Sequence, residues 1–391
     1  MNEDSANSPD IIQVRCPECH LVVSVTDLQH KQKALCPRCG YQLTLMRSHA
    51  NEKVLAFSLA ALCFLIASVP FEFMIFSVQG QFQRMNIPLS ISTLVEQEYP
   101  ILATIQLLAI YVIPACILLC MIYLSYHLKR DKYPPHGGWV KRILFALLPW
   151  SMAEIFLVGA LISLIKIRDM ADIQLGLSFY AYLFFTLCLL CCLIYLDEFQ
   201  LSKSLRRLGE QRWKLAKSAP PPVNKVTQRT WAYLLAALIL YIPANTLPIM
   251  HTRVLGQEQP STILGGVVSL WQDGSYPVAL VIFVASLAVP IGKLLTLCWL
   301  NYSIQRQVLT GQHWRTKLYR ITDFIGRWSM IDVFVVAILV SLIQLGNTMS
   351  VYPGPAALAF SAVVILTMLA ANSFDSRLIW TQKPDDNDTK Q

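Results

Sequence analysis

Few side chains in this 391-residue sequence could do chemistry inside an apolar run. Lys293 stands within Val289-Pro290-Ile291-Gly292-Lys293-Leu294-Leu295. Asp332 follows Gly326-Arg327-Trp328-Ser329-Met330-Ile331, and Glu154 follows Pro149-Trp150-Ser151-Met152-Ala153. A charge at the centre of a membrane helix costs about 2.5–3.5 kcal/mol on insertion scales, so each of these needs a partner or a task. Lys293 and Asp332 are expected at similar depth, towards the cytosolic ends of their helices. Ser286 lies seven residues before Lys293, on the same face and roughly 10 Å further along. Thr367 is expected at comparable depth on another helix. Ser286, Lys293, Asp332 and Thr367 would then form a polar ladder. Such a ladder could exchange a proton and bias the helices between two packings. It could equally be a static buried ion pair that fixes helix register.

A second set of reactive side chains opens the chain. Cys16-Pro17-Glu18-Cys19 is followed, after sixteen residues, by Cys36-Pro37-Arg38-Cys39-Gly40. Two CxxC knuckles at this spacing read as a tetrahedral four-cysteine Zn2+ site, structural because four thiolates leave no open position. Val22, Val23, Val25, Tyr41, Leu43 and Leu45 alternate around the knuckles as in a zinc ribbon. So small a module has no room for a core, and metal binding would supply its folding energy, roughly 10–16 kcal/mol in peptide systems. A redox dithiol is the rival, but such motifs usually come singly at a strand-to-helix junction. The other cysteines sit in apolar runs and read as small hydrophobes.

The elements that position these groups follow from composition. Hydrophobic residues make up 55% of the chain and charged ones only 14%, against about 25% charged in soluble domains. The pattern is that of an all-α polytopic membrane protein, with spans expected over 54–76, 100–126, 143–166, 175–196, 231–250, 277–300, 329–346 and 356–373. The net charge of +8 is a matter of topology and not a nucleic-acid footprint. Of 32 Lys and Arg, 27 fall in 1–53, 127–142, 197–230, 301–327 and 373–391, which puts both termini in the cytosol. No phosphate-binding glycine loop, nucleophile elbow or His/carboxylate metal cluster occurs, so neither an enzyme nor a primary pump is expected.

The chain is also a tandem repeat. Pro149-Trp150-Ser151-Met152 recurs in part 178 positions later as Arg327-Trp328-Ser329-Met330. Pro70 answers Pro248, Pro114 answers Pro290, Gly176 answers Gly354 and Asp197 answers Asp375. Both halves start and end in the cytosol, so the repeats run parallel about an axis near the membrane normal. The division expected is a disordered tail 1–10, a zinc ribbon 11–50, a four-helix module 51–198, a basic proline-containing linker 199–228, a second four-helix module 229–376 and a cytosolic tail 377–391. The linker has no cysteine where a complete repeat would carry a second set. Lys293 answers Ile117, Ser286 answers Ile110 and Thr367 answers Leu189, which leaves Glu154 as the first-module counterpart of Asp332.

Gly326 to Phe334, Tyr241 to Met250, Val289 to Leu295 and Ser373 to Trp380 resemble the second module of the paraquat-inducible protein A (LetA-like) family. Pro149 to Phe156 and Leu175 to Phe179 resemble its first. The likeness spans residue 12 to about residue 380. It implies two tetraspanin-like four-helix bundles in the inner membrane of a Gram-negative bacterium. It also implies a periplasmic MCE-domain partner forming an oligomeric tube, phospholipid as cargo, and a polar network at Ser286, Lys293, Asp332 and Thr367. Proton-motive force is then the expected energy source. The alternative is a non-transporting anchor, scaffold or stress-sensing partner of the MCE protein.

Overall fold

The computed structural model describes residues 12–25, 32–78, 81–167, 172–209, 222–254, 257–272, 274–308, 310–342 and 349–380. The chain opens with two separate antiparallel hairpins. One is β1 (Ile12–Arg15) with β2 (Val22–Val25), the other β3 (Lys33–Leu35) with β4 (Gln42–Leu45). The knuckles sit at their turns, where Gly40 adopts φ +67, a conformation open to glycine at no steric cost.

The helical part then runs through one order of elements twice. In the first half α1 (Ala50–Ala67) leads to β5 (Met74–Val78) and β6 (Gln81–Met85), then to α2 (Ile87–Glu96). Next, α3 (Pro100–Leu107) passes through a π turn, Leu108–Val112, into α4 (Ile113–Lys129). Then α5 (Gly137–Leu147) reaches α6 (Ala153–Ile167) across a 3-10 turn, followed by β7 (Asp172–Leu175), α7 (Leu177–Tyr195) and α8 (Glu198–Leu208). The second half gives α9 (Val223–Thr246), β8 (Met250–Val254), β9 (Gln257–Ser261) and α10 (Ile263–Gln272). After them come α11 (Tyr276–Phe283), a π turn at Val284–Ala288, α12 (Val289–Gln305), α13 (Gln312–Gly326), a 3-10 turn, α14 (Ile331–Leu342), β10 (Met349–Pro353) and α15 (Pro355–Ser373). Elements from β5 to α4 recur at a shift of 176, and α7 recurs as α15 at 178.

Local chemistry explains the recurrence. Pro114 and Pro290 have no N–H to give to Ile110 and Ser286, four residues back. The ladder bypasses this gap with bonds to the fifth residue, Ile113 N to Leu108 O and Val289 N to Val284 O. Gly176 and Gly354 are each pressed onto a strand entrance. A Cβ there would collide with the carbonyl oxygen of Glu72 or of Pro248, respectively. Their amides donate to Phe73 O at 3.0 Å and to Ile249 O at 2.8 Å, which seats β7 beside β5 and β10 beside β8.

Within the first half α1 packs on α4 and α7; within the second α9 packs on α12 and α15. The halves meet through α6 and α14. There the rings of Phe156 and Phe334, the same repeat position, stand edge to face with centroids 5.7 Å apart. Gly159 admits Phe334: its missing Cβ would lie 3.2 Å from Phe334 Cβ.

Six helical stretches among the described residues are long and apolar enough to cross a membrane: Ala50–Ala67, Pro100–Lys129, Gly137–Leu164, Leu177–Tyr195, Ala279–Gln305 and Pro355–Ser373. The protein is therefore a mostly helical, multi-pass membrane protein. Eight spans were expected. The span at 231–250 corresponds to α9, which is 24 residues long but begins with the polar stretch Asn224 to Thr230. The span at 329–346 corresponds to α14, 12 residues long as described.

Other boundaries also differ from expectation. The helix expected over 54–76 ends at Ala67, because Pro70 cannot continue it, and the chain enters β5. All-α was too simple, since each half carries a three-stranded sheet, β6-β5-β7 and β10-β8-β9. Both ends of the expected linker are helical, as α8 and the start of α9, and residues 210–221 lie outside the described set. So do residues 1–11, where the disordered tail was expected.

Candidate functional site

Two places carry chemistry. The first is the four-cysteine centre. Sγ of Cys16 lies 3.6 Å from Sγ of Cys39, and Sγ of Cys19 lies 3.5 Å from Sγ of Cys36. All four sulfurs fall within 4.8 Å of one another. Tetrahedral coordination with metal–sulfur bonds of about 2.3 Å needs sulfurs about 3.8 Å apart, so the donor set fits a metal ion. Each knuckle closes through a backbone bond, His20 N to Cys16 O at 3.0 Å and Gly40 N to Cys36 O at 2.9 Å.

Groups from the second half surround this centre. Arg320 of α13 directs Nη2 at Cys39 Sγ from 3.5 Å, with Nε 3.7 Å from Glu18 Oε2. Its guanidinium lies over the Tyr41 ring, 5.2 Å from the centroid. Burial pushes the Glu18 carboxyl up, and Arg320 pulls against that. Arg377 Nη1 donates to His20 Nε2 at 2.9 Å, and burial and Arg377 together hold that imidazole low. Leu300, Ile304, Phe374, Leu378 and Trp380 pack against the cysteines. Residues 377–380, expected in a cytosolic tail, are thus part of this packing.

The second place is Lys293, buried at 3% exposure on α12. Its side chain lies across the α13 terminus: a Cβ on Gly326 would come within 2.5 Å of Nζ and 2.8 Å of Cε. A side chain at 326 would thus displace the Lys293 amine from this seat. Lys293 borders a cavity of about 280 Å3 between the halves. Leu148 and Leu193 line it from the first half, and Asp323, Met368 and Asn372 from the second.

The other sequence-derived residues divide as follows. Ser286 is fully buried in the π turn, and its Oγ has no hydrogen-bond partner among the described residues. Thr367 is buried and donates to Val364 O at 2.9 Å, within its own helix. Asp332 is the second residue of α14, and its side chain lies outside the described set. Glu154 is half-buried at the start of α6. Three residues were missed by the sequence reading: Asp323 at the lysine cavity, Arg320 at Cys39 and Arg377 at His20 of the cysteine module. Only spacing could have marked the first two, since 320, 323 and 326 recur every third residue of one helix and so share a face.

The fold and these two places define a class: a multi-pass membrane protein with a four-cysteine module that could hold a metal ion and a lysine buried in its second half. The model of the family "Paraquat-inducible protein A" matches residues 52–205 and again 227–383, and the chain belongs to this family. It is 35% identical to the intermembrane transport protein PqiA of Escherichia coli (strain K12), over 95% of this chain and 96% of that one. It is 29% identical to the lipophilic envelope-spanning tunnel protein A of the same strain, over 94% and 90%. It is 26% identical to a probable intermembrane transport protein of Haemophilus influenzae, over 97% and 98%. These relatives carry the names of transport and envelope-spanning proteins, not of enzymes. No solved structure matches the chain.

Proposed function

We propose that the protein is an inner-membrane subunit of an intermembrane phospholipid transport system and works with a periplasmic MCE-domain protein. In this reading it comprises two parallel four-helix modules, 51–198 and 229–376, with both termini in the cytosol. The names of its relatives support the transport role, and the recurrence of element order supports the two modules. Zinc is the metal that best suits four thiolates in a closed tetrahedron. It would be held by Cys16, Cys19, Cys36 and Cys39, and a coordinatively saturated ion has structural work only.

The observation that carries the reading is Lys293. An amine buried at membrane depth beside a cavity is costly for a passive anchor and useful to a transporter. Lys293 and Asp332 would exchange a proton, with Ser286 and Thr367 extending the polar path and Glu154 as the vestige of that path in the first module. The proton's movement would bias α12 between two packings against α13 and α14. No nucleotide site is needed, because proton-motive force supplies the energy.

Affinity purification from native membranes in mild detergent, with protein and lipid mass spectrometry, tests the partnership. Recovery of an MCE-domain protein with bound phospholipid is expected. Recovery of the protein alone would contradict the reading and favour a stand-alone membrane protein.

A further inference from the structure

The four-cysteine module touches both halves, and does so at one repeat position in each. Asp197 caps α8, its Oδ1 accepting from Phe199 N at 2.9 Å and Gln200 N at 3.1 Å. Its Oδ2 accepts from Thr44 Oγ1 at 2.8 Å and Leu45 N at 3.0 Å, and Gln200 Nε2 donates to Leu45 O at 2.6 Å. Asp375, 178 positions later, caps the turn Ser376–Ile379 by accepting from Arg377 N at 3.0 Å. It also holds the Arg377 guanidinium, with Nε 3.1 Å from Oδ1, so that Nη1 meets His20. One module thus occupies two equivalent docks.

The division of labour within the module gives this meaning. The hairpin β1-β2 carries Cys16 and Cys19 and leans on the second half, through Glu18 to Arg320 and His20 to Arg377. The hairpin β3-β4 carries Cys36 and Cys39, continues into α1 and grips Asp197 in the first half, while its knuckle also meets the second half, Cys39 and Tyr41 at Arg320 and Arg38 over the Trp380 ring. The hairpins belong to different sheets. The close sulfur pairs, Cys16 with Cys39 and Cys19 with Cys36, each join one hairpin to the other. A metal at their centre would be a four-bond joint that ties the hairpin held by the second half to the hairpin that grips the first half and continues into α1. Four thiolates on a divalent ion carry a net double negative charge. Arg320 is placed to meet it, and the metal-loaded state therefore also attracts α13.

We infer that the metal-loaded module is a clasp that locks the two halves together on their cytosolic side, and that metal loss opens the lock. This rests on the reading of the cysteines as a metal site and assigns that site a task. The full-length protein in nanodiscs is compared as purified, after chelation, and as the variants Cys36→Ser and Arg377→Leu. Metal content is measured in each, and amide hydrogen exchange is followed over 12–45, 196–205, 312–322 and 374–380. Chelation and Cys36→Ser are expected to speed exchange at least ten-fold in 12–45, and with it in 374–380 and 312–322. Arg377→Leu is expected to keep its metal and to speed exchange in 374–380 while leaving 196–205 protected. Metal loss with faster exchange confined to 12–45 would overturn the clasp and leave the metal site standing. A purified protein with no bound metal would instead remove the metal reading itself.

Discussion

At a shift of 176 the π turn of the first half becomes that of the second, yet Ile110 becomes Ser286 and Ile117 becomes Lys293. At 178, Leu189 becomes Thr367. All six side chains are buried, none more than 3% exposed. The same backbone therefore closes over apolar side chains in one half and over polar ones at equivalent positions in the other. The fold does not require the polar set, because the first half is built without it. Each polar member instead works against burial, most of all the amine of Lys293. What the comparison teaches is that the duplicated frame is structural and that, at these three positions, the second half carries polar groups the frame does not require.

Lys293→Met breaks the comparison most sharply. Intermembrane lipid transport in cells should fall at least ten-fold, while the protein still accumulates, because a hydrophobe of similar length replaces a buried charge. Ile117→Met, at the equivalent position, should leave transport unchanged. Equal loss in both would mean that the position matters for packing and not for its charge.

Gly176→Ala and Gly354→Ala test the shared frame. Each added methyl meets a backbone carbonyl that cannot turn aside, so each should cost about 3 kcal/mol. The thermal midpoint in detergent should drop by similar amounts for the two. A large drop in one and none in the other would break the equivalence of the sheet entrances.

A smaller effect of opposite sign is expected in the π turns. Ser286→Ala removes a buried hydroxyl without a described partner and should be neutral to stabilising. Ile110→Ser should destabilise by about 1–3 kcal/mol. The smallest effect belongs to Phe156 and Phe334. A double-mutant cycle to Leu should return a coupling of about 0.5–1.5 kcal/mol for the edge-to-face pair.

Much of this frame was legible in the sequence because proline, glycine and cysteine force local geometry. Pro114 and Pro290, Gly176 and Gly354, and the two CxxC knuckles all marked features that the structure carries. The sheets were not legible. Their strands are short, and Met74 to Val78 continues the apolar run that precedes it, so periodicity could not separate strand from helix there. The surroundings of Lys293 were legible only in part. Its burial followed from its place in an apolar run, but its packing on Gly326 and the nearness of Asp323 depend on how α13 returns along α12. The docks at Asp197 and Asp375 stood out as a repeated pair. Their role as attachment points for the cysteine module could not be read, because it joins residues about 150 or more positions apart.

The central claim is that the buried amine of the second half couples the protein to protons. Its most direct test is proton flux in proteoliposomes that hold a pH-sensitive dye and receive an acid pulse from outside. With phospholipid present, the wild type should acidify the lumen at least ten times faster than Lys293→Met, and Ile117→Met should match the wild type. Equal rates for wild type and Lys293→Met would contradict the account and return Lys293 to the role of a structural cation.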